Sequence, residues 1–286
     1  MIRVAGAPIS WGVCEVPGWG HQMDPERVLE EMAAAGLAAT EFGPDGFLPQ
    51  DPEARTALLA GHGLTAVGGF VPVVLHDPER DPLPEVRRAL AGFGSARTLV
   101  LAAATGSDGY DARPELSVRQ WDALLANLDR IAAHAAAEGI TATLHPHVGT
   151  MVEGPDEVER VLTGSAVPLC LDTGHLLAGG SDPVDLARRA ADRIAHVHLK
   201  DVDAALAARV RAGELTYTEA VRTGLYQPLG LGDVDIAAIT TALDAAGYTG
   251  WYVLEQDTVL DAEPAAGEGP LADVMASLTH LRKVTS

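Results

Sequence analysis

The period of the apolar positions changes repeatedly along the chain. Short β-branched or continuously apolar runs predict strands, and longer Ala-rich segments with apolar residues three and four apart predict helices. The predicted strands are Arg3–Ser10, Ala39–Phe42, Leu64–Val71, Thr98–Ala102, Ile140–His145, Val167–Asp172, Ala195–Lys200 and Trp251–Glu255. Between them run amphipathic stretches. Pro25–Ala35 carries Val28, Leu29 and Met32 on one face, and Val118–Glu138 carries Trp121, Leu124, Leu125, Leu128 and Ile131. Gly36, Gly139 and Gly247 stand just past a helix and before a strand, where a left-handed cap is needed. Asp24-Pro25 and Asp182-Pro183 supply an N-cap followed by proline in the first turn. Eight strand-then-helix units without interruption predict an α/β fold, a closed parallel (β/α)₈ TIM barrel. A doubly wound sheet is the alternative, but its first turn would be glycine-rich, and here that turn reads SWGVCEVPGWG.

Length and charge narrow the picture. The 286 residues fit one barrel domain over 1–286, since such barrels take roughly 250 residues. Forty acidic residues against 20 Lys plus Arg give a formal charge of −20, which speaks against nucleic acid as a partner. No apolar run reaches the roughly 18 residues of a membrane span, and the start MIRVAGAPISWG has neither basic n-region nor long apolar core. Cys14 and Cys170 are too few for a disulfide framework. These features predict a cytoplasmic protein with no membrane partner. The longest connection, Asp201 to Asp233, holds two short helical stretches and the turn-rich PLGLGD, and predicts a lid-like insert at about 203–232.

In a parallel barrel the reactive groups gather where the strands end. Strand five ends in His145 and His147, and strand six in Asp172 with His175 beyond it. Strand seven holds His196, His198, Lys200 and Asp201, and strand eight ends in Glu255 and Asp257. The first four strands add only Ser10, Trp11 and Glu41. Alternation makes the pattern sharper: if His145, Asp172, His198 and Glu255 point inward, then Leu144, Leu171, Val197 and Leu254 face the helices, and all four are apolar. Two imidazoles and two carboxylates from neighbouring strands predict a site for Mn²⁺, Co²⁺, Fe²⁺ or Zn²⁺.

The other polar residues admit two readings each. Asp172 could simply cap the turn that follows it. Lys200 could hold a substrate oxygen or move a proton, or could be paired with Asp201 or Asp257. Glu41, His147 and His175 are candidates for gripping substrate hydroxyls, and His147 or His175 could instead orient a ligand. His196 would lie deeper, as a support or a core residue. Trp11 and Trp19 would offer an apolar wall to a ring, or would simply close the barrel.

APISWG, EFGPDGFLP, LHPHVGT, LDTGHLLAGGSDP, RIAHVHLKDV and GYTGWYVLEQD, in that order along nearly the whole chain, resemble the xylose-isomerase-like sugar isomerase/epimerase barrels. Within them they look most like the inosose (2-keto-myo-inositol) dehydratases. The resemblance implies a divalent metal, usually Mn²⁺ or Co²⁺. In the epimerases of this superfamily the ligands are Glu, Asp, His and Glu on strands five to eight. Asp172, His198 and Glu255 match, and His145 falls where the epimerases carry the first Glu. Those epimerases use their two glutamates as an acid/base pair on opposite faces of a ketose, so His145 leaves only Glu255 in that role.

What the resemblance implies is a lyase of inositol catabolism. It would take the α-proton of a keto-polyol such as inosose and expel a β-hydroxyl, with Glu255 and Lys200 as catalytic candidates. The alternative is an isomerase or epimerase that passes a keto-sugar or its phosphate through an enediolate. A nuclease on the same barrel is disfavoured by the charge, and a non-catalytic sugar-binding protein would hold no metal. Pairing of outer helices into a homo-oligomer stays open. The stretch LYQPLGLGDVD departs from the proline-glycine-aspartate-glycine turn usual in the dehydratases.

Overall fold

A computed structural model describes residues 2–107 and 109–285. Its strands are β1 (Arg3–Gly6), β2 (Ala39–Thr40), β3 (Thr65–Ala66), β4 (Gly68–Val73), β5 (Thr98–Ala103), β6 (Thr141–Leu144), β7 (Leu169–Asp172), β8 (Ile194–Leu199), β9 (Asp201–Val202), β10 (Tyr226–Gln227) and β11 (Trp251–Leu254). All strands of the main sheet pair in parallel, in the order β3-β2-β1-β11-β8-β7-β6-β5-β4. β3 and β4 are two halves of one stave. Val67 between them donates its N–H to Thr40 and accepts from Arg97 and Thr98, so the ring of eight staves closes. The predicted barrel is the observed fold.

Around it lie α1 (Pro25–Ala34), α2 (Pro52–Gly61), α3 (Leu83–Ala91), α4 (Val118–Ala137), α5 (Pro155–Gly164), α6 (Thr173–Ala178), α7 (Pro183–Arg189), α8 (Ala204–Arg211), α9 (Tyr217–Arg222), α10 (Ile236–Ala245) and α11 (Pro270–Val284). Asp24 and Asp182 accept from first-turn N–H groups as their sequence context requires. Gly36, Gly139 and Gly247 take left-handed φ of 82°, 73° and 78°.

The burial confirms the alternation. Leu144, Leu171, Val197 and Leu254 join the large apolar layer between staves and helices. A separate small cluster of Ala5, Ala7, Ala39, Val67 and Val253 fills the bore. Small residues on staves one to three leave the bore shallow on that side, which makes room for polar groups reaching across from the other half.

Stave one is shorter than predicted. It ends at Gly6, and Pro8–Trp11 form a 3₁₀ turn capped by Gly12 with φ of 76°. Pro8 fixes φ and lacks the N–H that a continuing ladder needs. The insert does form two helices, α8 and α9, followed by β10, which pairs antiparallel with β9. No described helix is long and apolar enough to cross a membrane.

Candidate active site

Asp172 ends β7 and splits its carboxylate between two tasks. Oδ1 accepts from the N–H groups of Gly174 (2.9 Å) and His175 (2.8 Å) and caps α6. Oδ2 faces the barrel mouth, 3.0 Å from His145 Nε2, 3.4 Å from His198 Nδ1 and 3.3 Å from Lys200 Nζ. Capping and site chemistry are therefore not alternatives here; the cap orients the free oxygen. Gly174 is required by close approach, because a Cβ there would sit 2.5 Å from Lys200 Cβ.

The side chains of Asp172, His198 and Glu255 converge as one group, the first two buried and Glu255 partly exposed to the cavity, with donor atoms within 4.8 Å of one another. His198 Nδ1 is in contact with Glu255 Oε2. His145 is not in that group but comes close to His198 in one with Cys170, and to Asp172 in one with His175. All four expected residues thus meet at one end of the barrel. His198 Nδ1, Glu255 Oε2 and His145 Nδ1 are all buried without a satisfied hydrogen bond. Carboxylate and imidazole donors with unmet lone pairs fit a divalent cation of borderline hardness.

Lys200 is sequestered. Its Nζ lies 2.8 Å from Asp257, 3.3 Å from Asp172 and 3.3 Å from Glu255, and its side chain is fully buried. Burial opposes its charge, but Asp172, Asp257 and Glu255 hold its pKa well above the usual value. Burial likewise opposes ionisation of Glu255, yet His198 and Lys200 bring it down to about 2. Asp257 goes the other way, raised by burial and by the Glu255 charge. Of the partners expected for Lys200, Asp257 is the observed one. Asp201 points away from the bore, and its carboxylate accepts from the N–H groups of Val202, Gly230, Gly232 and Val234. It thereby folds the turn that follows β10. A Cβ at Gly232 would strike Asp201 Oδ1 at 2.4 Å, so the unusual turn sequence still needs glycine there.

A cavity of about 720 Å³ opens over this cluster, walled in part by Trp19, Phe70, His147, Tyr217, Glu255 and Asp257. That size suits a small organic ligand. His145 and Glu41 also border it. His147 donates Nδ1–H to the Val148 carbonyl at 2.6 Å, which leaves Nε2 as its free nitrogen. Burial, with His145 and Lys200 nearby, lowers its pKa to about 3.

Two predicted substrate contacts lie elsewhere. Trp11 is not a cavity wall: it is fully buried and its indole N–H reaches Glu31 on α1 at 2.8 Å. The 3₁₀ turn that replaces the end of stave one rotates the ring toward the helix layer. His175 is not on the cavity either. It stacks 3.7 Å from the His147 ring, and its Nδ1 lies 3.3 Å from the Tyr226 hydroxyl. Glu41 is occupied by two histidines, with Oε1 2.8 Å from His196 Nε2 and 3.0 Å from His198 Nε2.

The structure adds residues that strand-end reading missed. Tyr217, from the insert, gives its hydroxyl hydrogen to Asp257 at 2.5 Å and lies 3.1 Å from the Tyr226 hydroxyl. Arg222, one turn on, bonds the carbonyls of Gly18 and Trp19, so the insert is tied to the first loop. Only the length of the insert signalled a role; nothing in its sequence singled out Tyr217.

Comparison with known proteins agrees with this geometry. A family model described as a xylose isomerase-like TIM barrel matches residues 29–283. An inosose dehydratase of Geobacillus kaustophilus is 34% identical over 273 residues, 89% of this chain and 87% of its own. The rhizopine catabolism protein MocC of Rhizobium meliloti is 35% identical over 269 residues, 90% of this chain and 82% of its own. Among solved structures, an L-ribulose 3-epimerase covers 100% of this chain and 96% of its own, with a TM-score of 0.70 and 18% identity. At that identity the likeness speaks for the fold alone. With eight staves closed around a polar mouth and a family match over most of its length, the chain belongs to the xylose isomerase-like TIM-barrel family.

Proposed function

We propose that the protein is a divalent-metal-dependent hydro-lyase that removes water from a cyclic keto-polyol such as 2-keto-myo-inositol, as a cytoplasmic enzyme of inositol catabolism. The observation that carries the reading is Lys200 bridging two carboxylates of the cavity wall, Glu255 at 3.3 Å and Asp257 at 2.8 Å, beside Asp172 and His198. The dehydratase relatives support the substrate class.

Asp172, His198 and Glu255 would hold the ion, Mn²⁺ or Co²⁺ by ligand type, with His145 beside them. When bound, such an ion polarises a ketone and makes the neighbouring C–H acidic. Glu255, ionised and on the cavity wall, accepts the α-proton as the C–H bond breaks. Asp257, whose pKa burial and the Glu255 charge raise, passes a proton from the Lys200 ammonium 2.8 Å away to the β-hydroxyl as the C–O bond breaks and water departs. Environments that push two carboxyl groups apart in this way suit one as base and the other as acid. The C–H electron pair becomes the new double bond, and the enol formed rearranges to a dione. Lys200 lies within reach of both carboxylates, so it regains its proton from Glu255 and resets the site. Nothing is oxidised or reduced. Lys200 thus works from behind the wall, not in contact with substrate. His147 Nε2, its proton being on Nδ1, is the free acceptor for a ring hydroxyl.

Epimerisation is the second reading, favoured by the fold shared with the L-ribulose 3-epimerase. It needs proton transfer on both faces of the substrate, and His145 stands where the second carboxylate would be required. Incubation with inosose and with a panel of ketoses, followed by mass spectrometry, tests the proposal. A product lighter by one water is expected from inosose. A product of unchanged mass from a ketose, with inosose untouched, would replace dehydration by epimerisation.

A further inference from the structure

We infer that Glu41 is a positioning residue for the cation site: from the opposite wall of the barrel it orients His198 so that Nδ1 faces Asp172 and Glu255. This rests on the metal-dependent reading above. Glu41 follows β2, whereas His198 lies on β8, with β1 and β11 between them in the sheet. Its side chain therefore spans the bore, over the layer of small residues formed by Ala5, Ala7 and Ala39.

A carboxylate oxygen can only accept. The 3.0 Å contact to His198 Nε2 and the 2.8 Å contact to His196 Nε2 therefore place a proton on each of those nitrogens. With Nε2 of His198 committed to Glu41, its remaining nitrogen is Nδ1, and that atom lies 3.4 Å from Asp172 Oδ2 and in contact with Glu255. His196, one layer deeper, contributes by bonding the same oxygen and holding it at its height in the bore. Both histidines and Glu41 are buried, so water cannot replace these bonds without opening the barrel.

Charge points the same way. Glu41, Asp172, Glu255 and Asp257 converge on a space that offers one buried ammonium, Lys200. A buried carboxylate behind an imidazole ligand raises the donor strength of that ligand and adds negative charge that a divalent ion can balance. Here it offsets the histidine that stands at position 145 in place of a carboxylate.

The test measures Mn²⁺ binding to the full chain by calorimetry, with His198 followed in the metal-free protein by ¹⁵N NMR. The wild type should show Nε2–H at His198 and bind one equivalent of Mn²⁺. Glu41→Ala should lose the hydrogen-bonded Nε2–H signal of His198 and bind Mn²⁺ about 10–100-fold more weakly, the usual effect of removing such a support. Glu41→Gln, whose amide oxygen can accept the same bonds without the charge, should fall between the two. Wild-type Mn²⁺ affinity in a folded Glu41→Ala would overturn the inference; if that variant does not fold, wild-type affinity in Glu41→Gln would do so. Dehydration with unchanged metal binding in these variants defeats the role of Glu41 alone. Failure of the wild type to bind any divalent ion defeats the metal-dependent reading as well.

Discussion

Tyr217 gives its phenolic hydrogen to Asp257 across 2.5 Å, and by that bond a helix of the insert is fastened to the end of the eighth stave. Both residues are buried and both border the cavity. The insert therefore supplies part of the wall on which the chemistry depends. Tyr217→Phe removes one hydrogen bond to a carboxyl group, worth about 1.5–3 kcal/mol when the acceptor is charged. The expected result is a fall in kcat/KM on inosose of roughly 10- to 100-fold and a modest loss of thermal stability. Unchanged kinetics would show that Asp257 needs no help from the insert.

The two wall carboxylates can be separated by a partial reaction. Glu255→Gln should lose both dehydration and exchange of the α-proton with D₂O, because an amide fills the space but takes no proton. A fall of at least about 10²-fold in turnover is expected for loss of a general base. Asp257→Asn should lose dehydration and keep α-proton exchange, read by NMR. Exchange lost in both variants, or kept in both, would reverse or dissolve the assignment of base and acid.

His145 and Asp172 differ in their standing toward the cation. Asp172 belongs to the compact group with His198 and Glu255, whereas His145 lies beside Asp172 and His198 without joining Glu255 in that group. Asp172→Ala should abolish stoichiometric Mn²⁺ binding. His145→Ala should weaken it by a smaller factor, on the order of tenfold, the size of effect seen for groups that support a ligand. Calorimetry on the two variants gives the order directly. Equal losses would restore His145 as a full ligand.

The stacked pair His147 and His175 predicts a dependence of stability on pH. Burial lowers both pKa values, that of His147 to about 3. Above the unfolded value near 6.5 the rings are neutral in both states, and stability is fully present. As pH falls below it, the unfolded chain takes up protons that the folded chain refuses, so stability declines down toward pH 3. Each such histidine costs on the order of 2 kcal/mol between pH 6.5 and 5. Urea unfolding of the metal-free protein at pH 7.5, 6 and 5 measures the slope. His147→Phe should make it shallower; a slope unaltered by that change would mean that His147 is protonated in the folded state.

The barrel and the level of its polar residues could be read from the chain because both depend on local period. Outward Leu144, Leu171, Val197 and Leu254 set the phase of four staves, and that phase carries His145, Asp172, His198 and Glu255 inward with them. The same logic was unable to place Trp11, since the turn beginning at Pro8 breaks the alternation just before it. Nor could it see that Asp172 both caps and faces the site, because one residue symbol does not say which oxygen goes where.

Position along a stave was thus settled by the sequence itself: alternation is a property of neighbouring residues, and the polar ends of staves five to eight follow from it. What crosses the bore was decided only by closure of the ring. Glu41 meets His198 from 157 residues away, Tyr217 meets Asp257 from 40 away, and Lys200 draws together Asp172 and Glu255 from the two staves that flank its own, with Asp257 beyond. Those contacts depend on the stagger between staves and on the path of the insert, quantities set by the packing of the whole barrel and carried by no local pattern.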